Sequence, residues 1–261
     1  MEAIGLGVLQ GLTEFLPVSS SGHLALAEFF LGVESPGVVF EVFVHFGTAL
    51  AVIVFFRRRV AAIVAAVFRW LARREHDAED ARLALHLAIG TIPAGVIGFA
   101  LEEKVEALFE RPAAVSLFLL ATGVILWATR VRQEGPRETT SARDAILIGL
   151  AQAAAIVPGI SRSGSTVAAG LFAGLSRRRA AEFAFLLSVP VILGATAASV
   201  GGLRGSGDAF GWAVMAGTLT AFASALPAIA ILMKVVTAGR FHRFAFYCWA
   251  VGAVALVATL A

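Results

Sequence analysis

Long apolar runs separated by short polar stretches, most of them basic, dominate the chain. Six runs, at roughly 38–56, 82–100, 112–129, 180–200, 209–233 and 244–261, are long enough for a helical membrane crossing, which needs about 20 predominantly apolar residues. Two further apolar regions, 3–31 and 144–175, are interrupted. Pro17 with Ser19-Ser20-Ser21-Gly22 breaks the first, and Pro158-Gly159 with Ser161-Arg162-Ser163-Gly164 breaks the second. Each reads as two half-helices joined by a polar loop. Irregular backbone cannot face lipid, where each unpaired amide group costs several kcal/mol, so each region must be enclosed by protein or line a wet cavity. A re-entrant hairpin is the expected form. The alternative, a kinked span through each region, would scatter the basic loops across both sides of the membrane.

At an offset of 142 residues the two broken regions align without a gap: Gly7 with Gly149, Gln10 with Gln152, Ser19 with Ser161, Ser21 with Ser163 and Gly22 with Gly164. The spacing predicts an internal repeat with halves at about 1–130 and 143–261 inside one membrane domain, 1–261. Each half holds one hairpin and three crossings, an odd number, so the second is expected to be inverted relative to the first. The charges agree. Arg57-Arg58-Arg59 with Arg69, Arg73 and Arg74 follow the first crossing, and Arg130, Arg132, Arg137 and Arg143 follow the third. Arg177-Arg178-Arg179 precede the fourth, and Lys234, Arg240 and Arg243 follow the fifth. With re-entrant hairpins all four clusters share one side, the cytoplasmic one. The Glu102-Glu103-Lys104-Val105-Glu106 segment, the Gly201-to-Asp208 loop and both termini are then expected outside.

Composition excludes an ordinary soluble domain: 59% of residues are hydrophobic, 15% are charged and the mean hydropathy is +0.86. A pI near 9.7 raises the question of nucleic acid. The positive residues sit in loops between apolar stretches rather than along one face, so topology accounts for them and no nucleic-acid partner is expected. The start, Met1-Glu2-Ala3-Ile4, has no basic n-region, so a removable signal peptide is not expected. The single cysteine, Cys248, has no Cys/His metal spacing around it and reads as a buried structural thiol.

Candidate chemistry lies in the two interruptions, because ionisable groups at membrane depth are costly and usually face a functional cavity. Gln10 and Glu14 are four apart and share one helical face. Glu14 leads into Ser19-Ser20-Ser21-Gly22-His23, and the second loop places Arg162 between Ser161 and Ser163 ahead of Gly164-Ser165-Thr166. Half-helix N-termini, small residues, hydroxyl donors and a guanidinium fork together form an anion site in outline. Inverted repeats would set the two loops facing each other near the midplane. Simpler readings stand beside these: Glu14 and Arg162 as a structural ion pair, His23 as a helix-terminal hydrogen-bonder, and the serines as caps. Glu41 and His45, four apart, read as a structural polar pair that could line the cavity. Glu182 reads as an interfacial partner of Arg177–Arg179, and His76, His86 and His242 have no expected chemical role.

The motifs Gln10-x-x-x-Glu14, Pro17-Val18-Ser19-Ser20-Ser21-Gly22-His23 and Pro158-Gly159-Ile160-Ser161-Arg162-Ser163-Gly164-Ser165-Thr166 resemble those of the undecaprenyl-diphosphate phosphatase, or bacitracin-resistance, family. Phe46-Gly47-Thr48-Ala49-Leu50, Gly90-Thr91-Ile92-Pro93-Ala94 and Ala181–Leu187 extend the resemblance over essentially the whole chain. The resemblance implies an inner-membrane enzyme that removes the terminal phosphate of undecaprenyl diphosphate, recycling the carrier lipid for cell-wall synthesis, with its site open to the periplasm. It implies Glu14, Ser20, His23 and Arg162 as functional residues. Gln10, Ser19, Ser21, Ser161, Ser163, Gly164, Ser165 and Thr166 are placed around the phosphate. It also implies a divalent cation, Mg or Ca, with Glu14 as a ligand. The family admits Glu or Gln at the first motif position; the Gln here weighs against a metal held by two carboxylates.

The expected fold is therefore an all-α integral membrane protein with an inverted-topology repeat, six transmembrane helices and two re-entrant helix-loop-helix hairpins. An isoprenoid diphosphate lipid and the bilayer are the expected partners, and a homodimer is compatible with the sequence. Two forms of the chemistry stay open: Ser20 attacks the terminal phosphorus while His23 accepts its proton and Glu14 orients the imidazole or helps hold the metal, or water or His23 itself attacks and Ser20 only hydrogen-bonds the phosphate. A lipid flippase or anion transporter would share the architecture. The other class of membrane lipid phosphatase, which Ser21-Gly22-His23 resembles, requires a second His after its Ser-Arg; none follows Ser161-Arg162 through Gly170. A structural scaffold would have no use for two polar loops in an apolar chain.

Overall fold

The computed structural model describes residues 1–32, 37–132, 134–202 and 211–260. Among them every named element is helical. Six helices are long and apolar enough to cross a membrane: Val38–Phe55, Ala78–Leu101, Pro112–Val131, Arg177–Ser199, Trp212–Thr237 and Phe241–Leu260. These match the six expected crossings to within a few residues. Their outward side chains, such as Phe99, Leu117 and Val254, are exposed and apolar, as a lipid-facing surface requires.

The two interrupted regions each form a pair of short helices. α1 (Glu2–Phe15) and α2 (Ser20–Leu31) make the first pair, and α7 (Ala142–Ala154) and α8 (Arg162–Phe172) the second. α1 stops where it does because Leu16 precedes a proline and adopts an extended conformation, with ψ of 141°. α2 ends on Gly32 in the left-handed region, the ordinary glycine stop. Between the pairs run α3 (Val38–Phe55), α4 (Arg57–Leu71), α5 (Ala78–Phe109) and α6 (Pro112–Ala128); α9 (Arg177–Gly202), α10 (Trp212–Thr237) and α11 (Phe244–Leu260) follow.

Two segments differ from expectation. The stretch 57–74, read as a basic loop, contains the 15-residue helix α4, which packs on α5 and buries Ile63 and Ala66. Arginines at both ends dilute its hydropathy, but Val60, Ile63 and Val67 recur at helical spacing. Helix α5 runs past the expected crossing end near residue 100, through the acidic segment 102–106, to Phe109. From residue 203 on, the expected outer Gly201–Asp208 loop lies outside the described residues.

Helices cannot be driven together in lipid by the hydrophobic effect, so close packing must do it, and small residues permit the approach. α1 lies on α10 in this way: a side chain at Gly7 would strike the Gly217 carbonyl, and one at Gly11 the Ala221 carbonyl. Ser224 Oγ also donates to the Val8 carbonyl at 3.3 Å. α7 lies on α5 the same way, with Gly149 against the Gly90 backbone. α3 packs on α9, and α6 on α11, where Trp249 Nε1 donates to the Leu120 carbonyl at 3.2 Å. Buried Cys248 donates to the Pro17 carbonyl, securing the first loop from α11.

Ion pairs brace the arginine-rich end of the bundle. Arg59 meets Asp80 at 2.6 Å and Glu182 at 3.2 Å, and Arg179 meets Glu79 at 3.1 Å and Glu182 at 3.5 Å, tying α4, α5 and α9 together. Glu182 thus pairs with Arg179 of the Arg177–Arg179 cluster and with Arg59. The Arg137 fork donates twice to Asp144, at 2.7 and 3.0 Å, and Ser141 and Asp144 form a capping box at the start of α7. His86 lies against Thr140 at 3.1 Å and His242 beside Trp127, both outside the polar loops.

The α1–α10 seam gives a direct test. Gly11→Leu must push the two backbones apart and is expected to cost at least about 1–3 kcal/mol, lowering the thermal midpoint in detergent. Gly5→Ala, on the same helix with nothing within 4 Å, should be neutral or stabilising by up to about 1 kcal/mol.

Candidate active site

The two polar loops meet. Leu16 accepts a hydrogen bond from Ser163 Oγ at 3.1 Å, and a side chain at Gly22 would sit 3.1 Å from Gly159 Cα. Thr122 on α6 fixes the second loop from behind, donating to the Gly159 carbonyl at 2.8 Å and accepting from the Ser161 N–H at 3.0 Å. Gly159, at φ 94°, turns where a side chain would strike the Val115 carbonyl. Ser19 is a strained point in the first loop, a non-glycine residue at φ 67°.

The loops are built alike. Ser19 caps α2 by accepting from the Gly22 N–H at 3.2 Å, and Ser161 caps α8 by accepting from the Gly164 N–H at 3.0 Å. Ser19 and Ser21 lie 3.3 Å apart, Ser161 and Ser163 3.2 Å apart. Both cap serines line the same cavity, so each break ends in a serine-capped helix N-terminus beside it.

Glu14 ties the halves together. It is 6% exposed, and all its partners are polar. Gln10 Nε2 donates to Oε2 at 2.8 Å, Ser20 Oγ donates to the same oxygen at 2.5 Å, and Arg162 Nη2 is paired with Oε1. His45 Nε2 stands 3.7 Å from Oε2, while its Nδ1–H donates to the Glu41 carbonyl at 2.8 Å. Two families of donors, one from each half of the chain, therefore converge on one carboxylate. A guanidinium carries five N–H donors, and this pair leaves most of the Arg162 fork available to a second anion.

A cavity of about 400 Å³ opens beside this cluster. Glu14, Ser19, Ser20, Ser21, Ser161 and Arg162 supply its polar wall, joined by Glu41, His45 and Gln152; Val191, Ile192 and Ala195 of α9 supply an apolar one. Gln10, His23, Ser163, Gly164, Ser165 and Thr166 do not line it. Gln10 acts from behind through Glu14, and Thr166 is bonded to the Arg162 carbonyl at 2.8 Å. His23 is turned away: its Nδ1–H donates to the Ser19 carbonyl at 2.8 Å, and Nε2 accepts from the Tyr247 hydroxyl at 2.8 Å, with the rings stacked. The hydroxyl of Ser20 is thus directed to Glu14, not to the imidazole.

Three contributors were not singled out in the sequence. Gln152 was visible as the repeat counterpart of Gln10 but carried no assigned role. Thr122 and Tyr247, the chain's only tyrosine, come from distant crossings and leave no local signal. Among the described residues no group of three His, Cys, Asp or Glu side chains is placed to hold a metal ion. Both Glu14 oxygens are already engaged by Arg162, Ser20 and Gln10. This donor set does not fit a resident divalent cation.

Breaking the central pair has a predictable cost. Arg162→Gln with Glu14 retained strands a buried carboxylate and is expected to lower stability by about 3–5 kcal/mol. Adding Glu14→Gln should recover some of that loss, a non-additivity that chemical denaturation of the two single variants and the double variant in detergent would measure.

A family profile described as bacitracin resistance protein BacA matches residues 3–254. Proteins named undecaprenyl-diphosphatase are similar along nearly their whole length. That of Desulforapulum autotrophicum is 42% identical over 98% of this chain and 97% of its own. That of Syntrophotalea carbinolica is 43% identical over 97% and 96%, and that of Methanobrevibacter smithii 39% identical over 100% and 98%.

Proposed function

The chain belongs to the bacitracin resistance protein BacA family, and from that membership and the geometry of its two loops we propose that it hydrolyses undecaprenyl diphosphate to undecaprenyl phosphate and inorganic phosphate. The observation that carries the reading is Glu14, which holds the Ser20 hydroxyl and the Arg162 guanidinium, one from each half, at one cavity wall. A phosphoanhydride needs a nucleophile in line with the leaving oxygen and donors for the charge on the phosphoryl oxygens. Ser20 supplies the first, and Arg162 with the N-termini of α2 and α8 the second.

In the proposed sequence Ser20 Oγ attacks the terminal phosphorus as its proton passes to Glu14. The anhydride bond breaks, and its electron pair leaves with the lipid monophosphate. Water then displaces the phosphoryl group from Ser20, Glu14 returns the proton to Oγ, and both water protons leave on inorganic phosphate. Hydrogen bonding favours Glu14 over His23 as proton acceptor, because Ser20 already donates to it at 2.5 Å whereas both His23 nitrogens are engaged elsewhere. His23 and Tyr247 instead position the Ser19–Ser21 turn.

We further propose the inverted repeat and re-entrant hairpins. With 14, 12, 13 and 11 residues, α1, α2, α7 and α8 each fall short of a full crossing, which takes about 20 residues. The packing pairs also survive exchange of the halves, with α1 on α10 answered by α7 on α5, and with α3 on α9 and α6 on α11 each mapping onto itself. Glu41 and Thr196 line the cavity from the ends of α3 and α9 remote from their arginines. By the positive-inside rule this opens the site to the periplasmic side of the inner membrane. A divalent cation, Mg or Ca, would then come with the diphosphate as its counter-ion. The same architecture suits lipid flipping, but a serine bonded to a carboxylate beside an arginine favours hydrolysis.

Purified protein in nanodiscs should release inorganic phosphate from undecaprenyl diphosphate; lipid movement without phosphate release would favour the transporter. Ser20→Ala should lower turnover by several orders of magnitude, against roughly 10²- to 10³-fold for loss of a single positioning donor, and Ser19→Ala and Ser21→Ala should fall in the milder class. Retention of a few per cent of turnover by Ser20→Ala would reassign the attack to water. Arg162→Lys should lose most activity, because an ammonium cannot reproduce the two-pronged contact. Reporter fusions at Ala261 and within Arg57–Arg74 should report opposite sides of the membrane. Elemental analysis of the purified protein should find no stoichiometric metal, while chelator still depresses turnover.

A further inference from the structure

Among the described residues, Gln152 is the one buried cavity-lining side chain with both polar atoms unpartnered. It is 2% exposed, and neither its amide nitrogen nor its amide oxygen has a hydrogen-bond partner. A buried carboxamide in that state is unfavourable, and native folds seldom keep one without a use. The repeat explains how it arises. Its counterpart Gln10 spends its nitrogen on Glu14, four residues on, at 2.8 Å. Four residues after Gln152 stands Ile156, also at the cavity wall. The second half therefore retains the glutamine and lacks the carboxylate.

The wall around Gln152 supplies the other half of an anion contact. Ser161 and Arg162 line the same cavity from the adjoining loop, and an amide N–H is a neutral donor that binds phosphate oxygen without a competing counter-charge. Resting on the hydrolase reading above, we infer that Gln152 is a substrate-binding residue: its side-chain N–H donates to a phosphate oxygen of the lipid diphosphate, doing for the substrate what Gln10 does for Glu14. Rotation about the side chain's own bonds brings the buried amide to the cavity surface, and the amide oxygen is left to accept from water. In this arrangement the first half of the chain supplies nucleophile and base, and the second half holds the anion.

The test uses full-length protein in nanodiscs and three measurements on Gln152→Leu and Gln152→Glu: kcat/KM for undecaprenyl diphosphate, binding of inorganic diphosphate, and the thermal midpoint. Loss of one hydrogen bond to a charged group should lower kcat/KM roughly 10- to 100-fold in Gln152→Leu and weaken inorganic diphosphate to a similar degree. Gln152→Glu should be at least as impaired, since its carboxylate repels the anion. The thermal midpoint of Gln152→Leu should hold or rise, because the substitution removes an unpartnered amide. Activity within twofold of wild type would overturn the inference, as would a fall in activity that tracks a lowered midpoint with diphosphate binding intact. If wild-type protein releases no phosphate, the hydrolase reading fails by itself, and the binding measurement alone decides whether Gln152 holds the anion.

Discussion

A peptide group without a hydrogen-bond partner cannot be left facing hydrocarbon, and most of this structure follows from that constraint. Two stretches of the chain break their helices at Pro17 and near Pro158-Gly159, exposing backbone groups at each of four half-helix ends. Serine caps, Thr122 and Cys248 satisfy some of these groups locally. The rest of the solution is enclosure. Long apolar helices surround both breaks, and glycines at 7, 11 and 149 let the short helices lie close against them.

Enclosure of polar backbone also leaves a cavity lined by serines of both loops and by Arg162. A helix N-terminus carries positive partial charge, which favours an anion. Arg162 adds full charge, and Glu14 offsets it in the absence of substrate. The pair is a poor source of net stability, since desolvating both ions costs about as much as their attraction returns. Its value is positional: one carboxylate holds a serine from one loop and an arginine from the other in register. The ion-pair lattice of Arg59, Asp80, Arg179 and Glu182 braces the opposite end of α4, α5 and α9, where no cavity of this kind is needed.

The sequence match at an offset of 142 also marks where the two interrupted regions differ. The serines of the two loops keep equivalent caps and equivalent spacings. The side chains that would do chemistry differ, with Glu14 answered by Ile156 and Ser20 by Arg162. The cavity is thus lined by an acidic, hydroxyl-bearing set from the first half, Glu14 and Ser20, and a cationic, amide-bearing set from the second, Arg162 and Gln152. A diphosphate needs both, because attack on phosphorus and neutralisation of its oxygens act on different sides of one group.

Composition and hydropathy alone determined that the chain is helical and apolar enough to cross a membrane six times, because a crossing is a matter of length and polarity counted along one segment. The two breaks, the repeat offset and the candidate polar residues were equally local. Helix α4 was missed because terminal arginines masked a short amphipathic pattern. Direction was not local either. His23 follows Ser20 by three residues, yet its ring turns to Tyr247, 224 residues away, and Ser20 turns to Glu14 across the break. Gln10 and Gln152 look equivalent in the sequence and differ in whether a carboxylate meets them. Which side chain meets which depends on how helices distant in sequence pack, and no pattern along the chain encodes those partners; only the tertiary structure decided them.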